Sequence, residues 1–564
     1  MLKPLPIGVD DFREIMEKDY YYVDKTLMIK ELLDAMGKVT LFTRPRRFGK
    51  TLNMSMLQYF FDNRTEETAG LFEGLAIMNA GEKYLQHMGK YPVINLSLKS
   101  LKQNSFDLAY EQLKRVLKKE YDRHWNCIRN GNRLTDNDLA RYEKILNLDG
   151  TDADYYIALE FLSECLCKSC NQKVIILIDE YDVPLENAYF NGFYEKMIAL
   201  IRSLFESALK TNLSLEFAVI TGCLRISKES IFTGLNNLKI MSITTLNYAD
   251  FFGFTQDEVD KMLGYYGLDS NRDIVKKWYD GYLFGEKEVY NPWSLINYAD
   301  SCRIKKDIFP VPYWSNTSSN SIVRKLVDGA DLSVKQEIER LMEGKHIIKP
   351  IHEDMTYEDI ESTQDNLWNF LYFTGYLKKI RSIQTGEIEY VEMAIPNSEV
   401  RYIYRTTVLQ WFDKKMDKTD LSDFYTAILN GAVSAVEKIL SEQLMETISF
   451  YDYKESFYHG FLAGLLKNIG NYIVLSNRES GNGRPDLLLK YPSIKGNAVI
   501  FELKIADSYQ ELTQKCREAL HQINQQQYEK QLQEEGYRHI MKYGIAFYRK
   551  ECKVELEQSH WIST

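Results

Sequence analysis

The stretch Val39-Thr40-Leu41-Phe42-Thr43-Arg44-Pro45-Arg46-Arg47-Phe48-Gly49-Lys50-Thr51 decides the fold of the first half of the chain. Lys38 to Thr43 reads as a short strand buried on both faces, because it shows no polar alternation. The basic segment after it carries Pro45 and Gly49 and cannot extend that strand. From Leu52 to Phe61 apolar residues return at helical spacing. A strand, a loop closing on Gly-Lys-Thr and a helix is an arrangement that holds phosphate, with backbone N–H groups and the helix N-terminus turned toward the anion. In that reading Gly49 permits close backbone approach, Lys50 reaches the β- and γ-phosphates of ATP, and Thr51 offers its hydroxyl to Mg²⁺. The general pattern GxxxxGK[ST] opens with glycine, whereas Arg44 stands at that position here. The opening turn must therefore differ, and the loop gains charge.

Working outward, four further strands are expected: Tyr91 to Leu98, Val174 to Ile178, Leu215 to Thr221 and Ile240 to Thr245. They are apolar without alternation and separated by helical stretches, which predicts an α/β domain over residues 1–253 with a parallel sheet covered on both faces. Residues 99–170 are charged and helical and read as an insertion. The strand at 174–178 ends on Asp179 and Glu180. Asp179 is placed to hold Mg²⁺ through water, and Glu180 to polarise an attacking water. Alone, Gly-Lys-Thr is as consistent with a solvated basic turn. The acid pair in the correct order tips the reading to a nucleotide site. Thr221 closes the fourth strand and either orients the water or simply ends the strand. Arg225, Arg46 and Arg47 are candidates for sensing the γ-phosphate, against the ordinary expectation that arginines lie on the surface.

Residues 254–412 read as a helical lid followed by a helix, a strand pair around Glu387–Met393 and a helix, the order of a winged-helix-like module. Residues 413–449 read as a helical spacer, and residues 450–564 as a separate mixed α/β domain. Its chemistry rests on Arg484-Pro485-Asp486 and Glu502-Leu503-Lys504. In Glu-x-Lys on a strand, alternation puts Glu502 and Lys504 on one face, and Asp486 on a neighbouring strand can join them. Two carboxylates suit Mg²⁺ or Mn²⁺, and the lysine can orient or deprotonate a water and steady a pentavalent phosphate. That set fits a metal-dependent phosphodiesterase. The bland alternative is an ion pair between Glu502 and Lys504.

The bulk numbers bound the rest. The chain has 564 residues, 45% hydrophobic and 27% charged, with a net charge of −10. Such a balance disfavours broad coating of nucleic acid but allows a local basic channel. The opening residues lack an apolar signal core, and no 18-residue apolar run is present, so neither secretion nor a membrane partner is expected. Eight cysteines without regular spacing suit a reducing, cytoplasmic compartment. Cys165, Cys167 and Cys170 fall on a helix-like stretch where i and i+2 diverge, and no fourth ligand is nearby, which argues against zinc. His459, His521, Tyr20 to Tyr22 and Trp278-Tyr279 read as packing or solvent residues.

Two resemblances add to this. Tyr21-Tyr22-Val23-Asp24-Lys25-Thr26, the run from Arg44 to Thr51, Ile178-Asp179-Glu180-Tyr181-Asp182-Val183-Pro184, Thr221-Gly222, the run from Ile231 to Asn237, Trp278-Tyr279-Asp280-Gly281-Tyr282 and Tyr290-Asn291-Pro292-Trp293 resemble the AAA-ATPase-like family of bacterial and archaeal proteins over roughly residues 1–300. The resemblance implies an AAA-type five-stranded core, and an arginine opening the loop is usual there. Asp486, Glu502 and Lys504 resemble the triad of the PD-(D/E)xK nuclease superfamily, in the version fused behind such ATPase-like domains. By that resemblance Glu455 matches the early acidic helix and Gln522 the later helix glutamine. Together they imply an ATP-dependent chain with a metal-dependent nuclease acting on nucleic acid, DNA more than RNA. The alternatives are a nucleotide-sensing switch with a non-cleaving C-terminal domain, and a kinase, which the acid pair disfavours. Homo-oligomers are an expectation by AAA analogy alone.

Overall fold

Two strands made almost entirely of branched and aromatic residues anchor the first half of the chain. Val39–Thr43 (β1) and Val174–Asp179 (β3) are buried at every position. Only a strand covered on both faces tolerates that, and both lie inside a parallel sheet. In the computed structural model its order is β2-β3-β4-β1-β5, with β2 Val93–Ser97, β4 Leu215–Gly222 and β5 Leu238–Met241, and every pairing parallel. The structure describes the whole chain except residues 1, 65–67, 132, 226–230, 233–236, 306–307, 317–331, 354–355, 362, 407–419, 447–454, 468, 477–484, 495 and 561–564. The fifth strand ends at Met241, not at Thr245 as expected. Ser242 and Thr245 instead bond to each other across a turn, where short hydroxyl side chains compete with the ladder.

The stretch expected as an insertion forms helices Phe106–Gly131, Asp136–Leu146, Asp152–Tyr156 and Ala158–Cys170. Capping boxes at Thr135/Asp138 and Thr151/Asp154 set two of the starts. The longest helix buries Ala109, Leu113, Leu117, Tyr121 and Ile128 along one stripe. Its Glu120 accepts from the Asn95 amide of β2 at 3.1 Å. The inserted helices are thus built onto the sheet.

The chain divides into two units, Met1–Asn320 with His346–Ile403, and Ser321–Lys345 with Tyr404–Thr564. The first unit also holds the hairpin Tyr282–Phe284 (β6) and Lys287–Val289 (β7), and an antiparallel sheet in the order β8-β10-β9. Lys378–Thr385 (β9) and Ile388–Ala394 (β10) are the expected strand pair after helix Gln364–Phe373. Ile347–Pro350 (β8) joins them as a third strand, in a stretch that had read as helical.

The second unit carries a five-stranded mixed sheet, Ile473–Ser476 (β11), Leu487–Lys490 (β12), Asn497–Ile505 (β13), His539–Tyr548 (β14) and Glu551–His560 (β15), in that order. Only the β13–β14 pair is parallel, and it is bridged by helix Leu512–Gln525. Gly544 on β14 admits that helix, since a Cβ there would collide with the Cys516 carbonyl oxygen. A second helix, Tyr528–Glu534, follows a break at Gln527, whose φ is 55°, where one long helix had been expected. On the opposite face Phe461 and Leu465 pack with Leu489, Phe501 and Tyr543. The expected spacer is helices Ser422–Asn430 and Val433–Glu446, and Phe424, Ile428, Val436 and Leu440 sink into the same core. These helices are one layer of the unit.

Candidate functional site

In the first unit the loop between β1 and helix Lys50–Phe61 bends through Arg47 at φ 71° and Gly49 at φ 84°. A side chain at Gly49 would meet nothing within 4 Å, so the glycine is needed for its left-handed backbone and not for space. Thr51 Oγ1 donates to Asp179 Oδ2 at 2.8 Å, and Thr221 Oγ1 donates to the other oxygen, Oδ1. One buried carboxylate thus gathers the helix start, the end of β3 and the end of β4. Glu180 follows with φ 55°, unusual for a side chain with a Cβ, and its amide donates to Thr221 Oγ1 at 3.4 Å. Burial, then the neighbouring Asp179 charge, push its carboxyl above the usual range, while Lys50 and Lys99 oppose the rise.

The basic residues have distinct fates. Lys50 is buried and its Nζ donates to the Arg44 and Pro45 carbonyls at 2.9 Å each. Arg44 is fully buried and does not line the cavity. Its Nη1 donates to Thr43 O at 2.9 Å and Met241 O at 2.7 Å, and its guanidinium lies over Phe252 and Phe284. It clamps the ends of β1 and β5, and burial pulls it down to about 9. This differs from the expected phosphate contact because the side chain runs beneath the loop. Arg46 is ion-paired with Glu186, and Arg47 lies 4.2 Å over the Trp293 ring. Arg225 Nη1 stands 3.7 Å from Glu353 Oε2 and is absent from the cavity lining.

A cavity of about 510 Å³ opens above this floor. It is lined by Gly49, Lys50, Thr51 and Glu180, by the basic residues Arg46, Arg47, Lys99 and Lys102, and by the apolar Pro6, Val9, Pro292, Trp293 and Ile296. The opening segment Pro6 to Asp10 and the two lysines after β2 were not singled out in the sequence. Asp182 was quoted there without a role. Its Oδ2 accepts from the Cys223 and Leu224 amides at 2.7 and 3.1 Å, tying the loop after β3 to the loop after β4.

In the second unit Leu487 pairs with Phe501, which brings Asp486 beside Glu502 on the next strand. Asp486 Oδ2 accepts from the Leu503 amide at 2.8 Å, and His459 Nε2 lies 2.9 Å from the Asp486 carbonyl oxygen. Glu502 is 2% exposed. Its Oε1 takes a hydrogen bond from Gln522 Nε2 and has Lys504 Nζ at 3.4 Å, whereas Oε2 is buried with no partner. Burial, then the Asp486 charge, push the Glu502 carboxyl up to about 7. The strands and the helix therefore bring Asp486, Glu502, Lys504 and Gln522 together. Tyr528, 3.4 Å from Gln522, is an addition that no spacing signalled. Helix Glu455–Leu466 begins at Glu455, but that side chain and Arg484 lie outside the described residues. An orphaned buried oxygen beside a second carboxylate fits a hard divalent cation. Among the described residues no group of three or more His, Cys, Asp or Glu could hold a metal. Cys170, once weighed for zinc, instead has its sulfur 3.2 Å from that of Cys127.

Comparison with known proteins finds a family match in each half of the chain. Residues 6–232 match the predicted AAA-ATPase family model, and residues 453–557 match that of the PD-(D/E)XK nuclease superfamily. The chain is similar to an uncharacterized protein in the vnfD 5′ region of Azotobacter chroococcum mcd 1, at 28% identity over 333 residues. That match covers 58% of this chain and 56% of the relative, so the chain spans about half the length of the curated relative it matches. No helix among the described residues is long and apolar enough to cross a membrane.

Proposed function

We propose that this chain, which joins a predicted AAA-ATPase domain to a PD-(D/E)XK nuclease superfamily domain, binds and hydrolyses ATP with Mg²⁺ and cleaves nucleic-acid phosphodiesters at a second, metal-dependent site. The observation that carries the first half is the convergence of Thr51 and Thr221 on the buried Asp179 carboxylate beside a β1–loop–helix phosphate cradle. Thr51 and Asp179 would hold Mg²⁺, which supplies charge neutralisation at the phosphates when bound. Lys50 exchanges its two loop carbonyls for phosphate oxygens. Glu180 accepts the proton of the attacking water at its carboxylate, and a raised proton affinity suits that task. The apolar part of the lining, with Trp293 and Val9, has the character a nucleobase needs.

In the second unit Asp486 and Glu502 would hold Mg²⁺ or Mn²⁺, which supplies an activated water and charge stabilisation when bound. Gln522 fixes Glu502 through Oε1 and leaves Oε2 to face the ion. Lys504 orients the water and steadies the charge that develops on the phosphate. Nucleic acid, DNA ahead of RNA, is the substrate this reading assigns, and ATP is assigned control of the cleavage. The test is phosphate release by wild type, Lys50→Ala and Glu180→Gln, together with cleavage of labelled DNA and RNA structures by wild type and Asp486→Ala. Loss of each activity in its own variants is expected.

A second reading, a nucleotide-sensing switch with slow turnover, draws on one feature. Lys50 is already satisfied by its own loop, so phosphate must compete with two good hydrogen bonds. Robust phosphate release that disappears in Glu180→Gln would remove this reading.

A further inference from the structure

ATP hydrolysis needs positive charge at the γ-phosphate beyond the loop lysine, and it comes from the same chain or from a neighbour. In this unit the arginines expected for that task, Arg46, Arg47 and Arg225, are engaged, and so is Arg44. Arg44 clamps two strands, Arg46 pairs with Glu186, Arg47 covers Trp293, and Arg225 stands beside Glu353. Lys99 and Lys102 differ. Both line the cavity, and neither has a hydrogen bond or ion pair with any described residue.

Their position is fixed by backbone. Ser97 of β2 pairs in register with Asp179, and the Leu98 amide donates to the Asp179 carbonyl at 3.0 Å. Lys99 follows at once, opening a short turn over Lys99–Leu101. The far end of the segment is held where Asn187 Nδ2 donates to the Gln103 carbonyl. A flexible ammonium thus stands just beyond the strand beside the acid pair and lines the same cavity as Gly49 and Thr51.

From this placement we infer that Lys99 is a γ-phosphate cation supplied in cis, closing the pocket across from Lys50 so that hydrolysis needs no arginine from a second subunit. The inference rests on the ATPase reading above and extends it. An ammonium paired with no carboxylate among the described residues can bind a phosphate oxygen, and it would distinguish ATP from ADP because only ATP places a phosphate there.

The experiment compares wild type, Lys99→Ala and Lys99→Arg in two assays. One is phosphate release with ATP and Mg²⁺ across a hundredfold range of protein concentration. The other is equilibrium binding of fluorescent ATP and ADP analogues. Lys99→Ala is expected to lower kcat by at least about tenfold and to weaken ATP binding with little effect on ADP. Lys99→Arg should restore part of both, and wild-type turnover per chain should not depend on concentration. An unchanged ATP-to-ADP affinity ratio in a folded Lys99→Ala protein would overturn the inference. So would turnover that rises steeply with concentration while Lys99→Ala matches wild type. If wild type releases no phosphate, the ATPase reading fails, and the affinity ratio still decides the role of Lys99.

Discussion

Replacing Glu502 by glutamine should stabilise the C-terminal unit at alkaline pH while abolishing cleavage. Glu502 is 2% exposed, and its folded-state pKa is raised from 4.5 to about 7. The folded protein therefore binds more protons at this site than the unfolded chain between those two values. By linkage, stability is fully present below pH 4.5, falls as pH rises, and reaches its floor above pH 7. At 1.36 kcal/mol per unit, ionising this carboxyl in the fold costs about 3 kcal/mol. Glutamine removes that cost but leaves an amide where Oε2 already lacks a partner, which offsets about 1 kcal/mol. The net gain at pH 8 is about 2 kcal/mol, or roughly 4–8 °C in the unfolding of this unit. Thermal unfolding of wild type and Glu502→Gln in chelator, at pH 5 and pH 8, measures it. Mg²⁺ or Mn²⁺ should raise the wild-type transition at pH 8 and leave the variant unmoved. A variant no more stable than wild type at pH 8, or equally shifted at both pH values, would refute the reasoning that the carboxylate is held in a destabilised state awaiting a cation.

Arg44→Ala should cost about 3 kcal/mol of stability by emptying the strand clamp, read as a fall in Tm without ligand; a phosphate-binding role would instead spare Tm and weaken ATP binding. Asp182→Ala leaves the Cys223 and Leu224 amides unsatisfied and should destabilise the first unit by about 2 kcal/mol, measurable by denaturant titration. The acidic limb of ATP turnover should lie above the ordinary glutamate range, because burial and Asp179 raise Glu180 and only its ionised form accepts the proton; a pH–rate profile checks it.

Much of the architecture was legible because parallel strands buried on both faces leave an unmistakable apolar run, as in Val39–Thr43 and Val174–Asp179. Gly49-Lys50-Thr51 and Asp179-Glu180 stood out for a different reason: a nucleotide site would want those residue types at a helix start and a strand end. Other features were hidden. The fate of Arg44 depends on Phe252 and Phe284, which are more than 200 residues away in the chain. Lys99 and Lys102 carry no motif, and only the register of β2 against β3 brings them to the cavity. The helices at 422–446 read as a spacer because their apolar stripe does not say what it packs against. Gln522 entered by resemblance, and the fold supplies its physical partner, Glu502.

The measurement that bears most directly on the account is cleavage of a panel of labelled DNA and RNA structures with Mg²⁺ or Mn²⁺, with and without ATP, by wild type, Asp486→Ala and Lys50→Ala. The account predicts metal-dependent cleavage by wild type, none by Asp486→Ala, and a response to ATP that Lys50→Ala loses. Cleavage that persists in Asp486→Ala, or its absence from every substrate with folded, ATP-bound wild type, would contradict it.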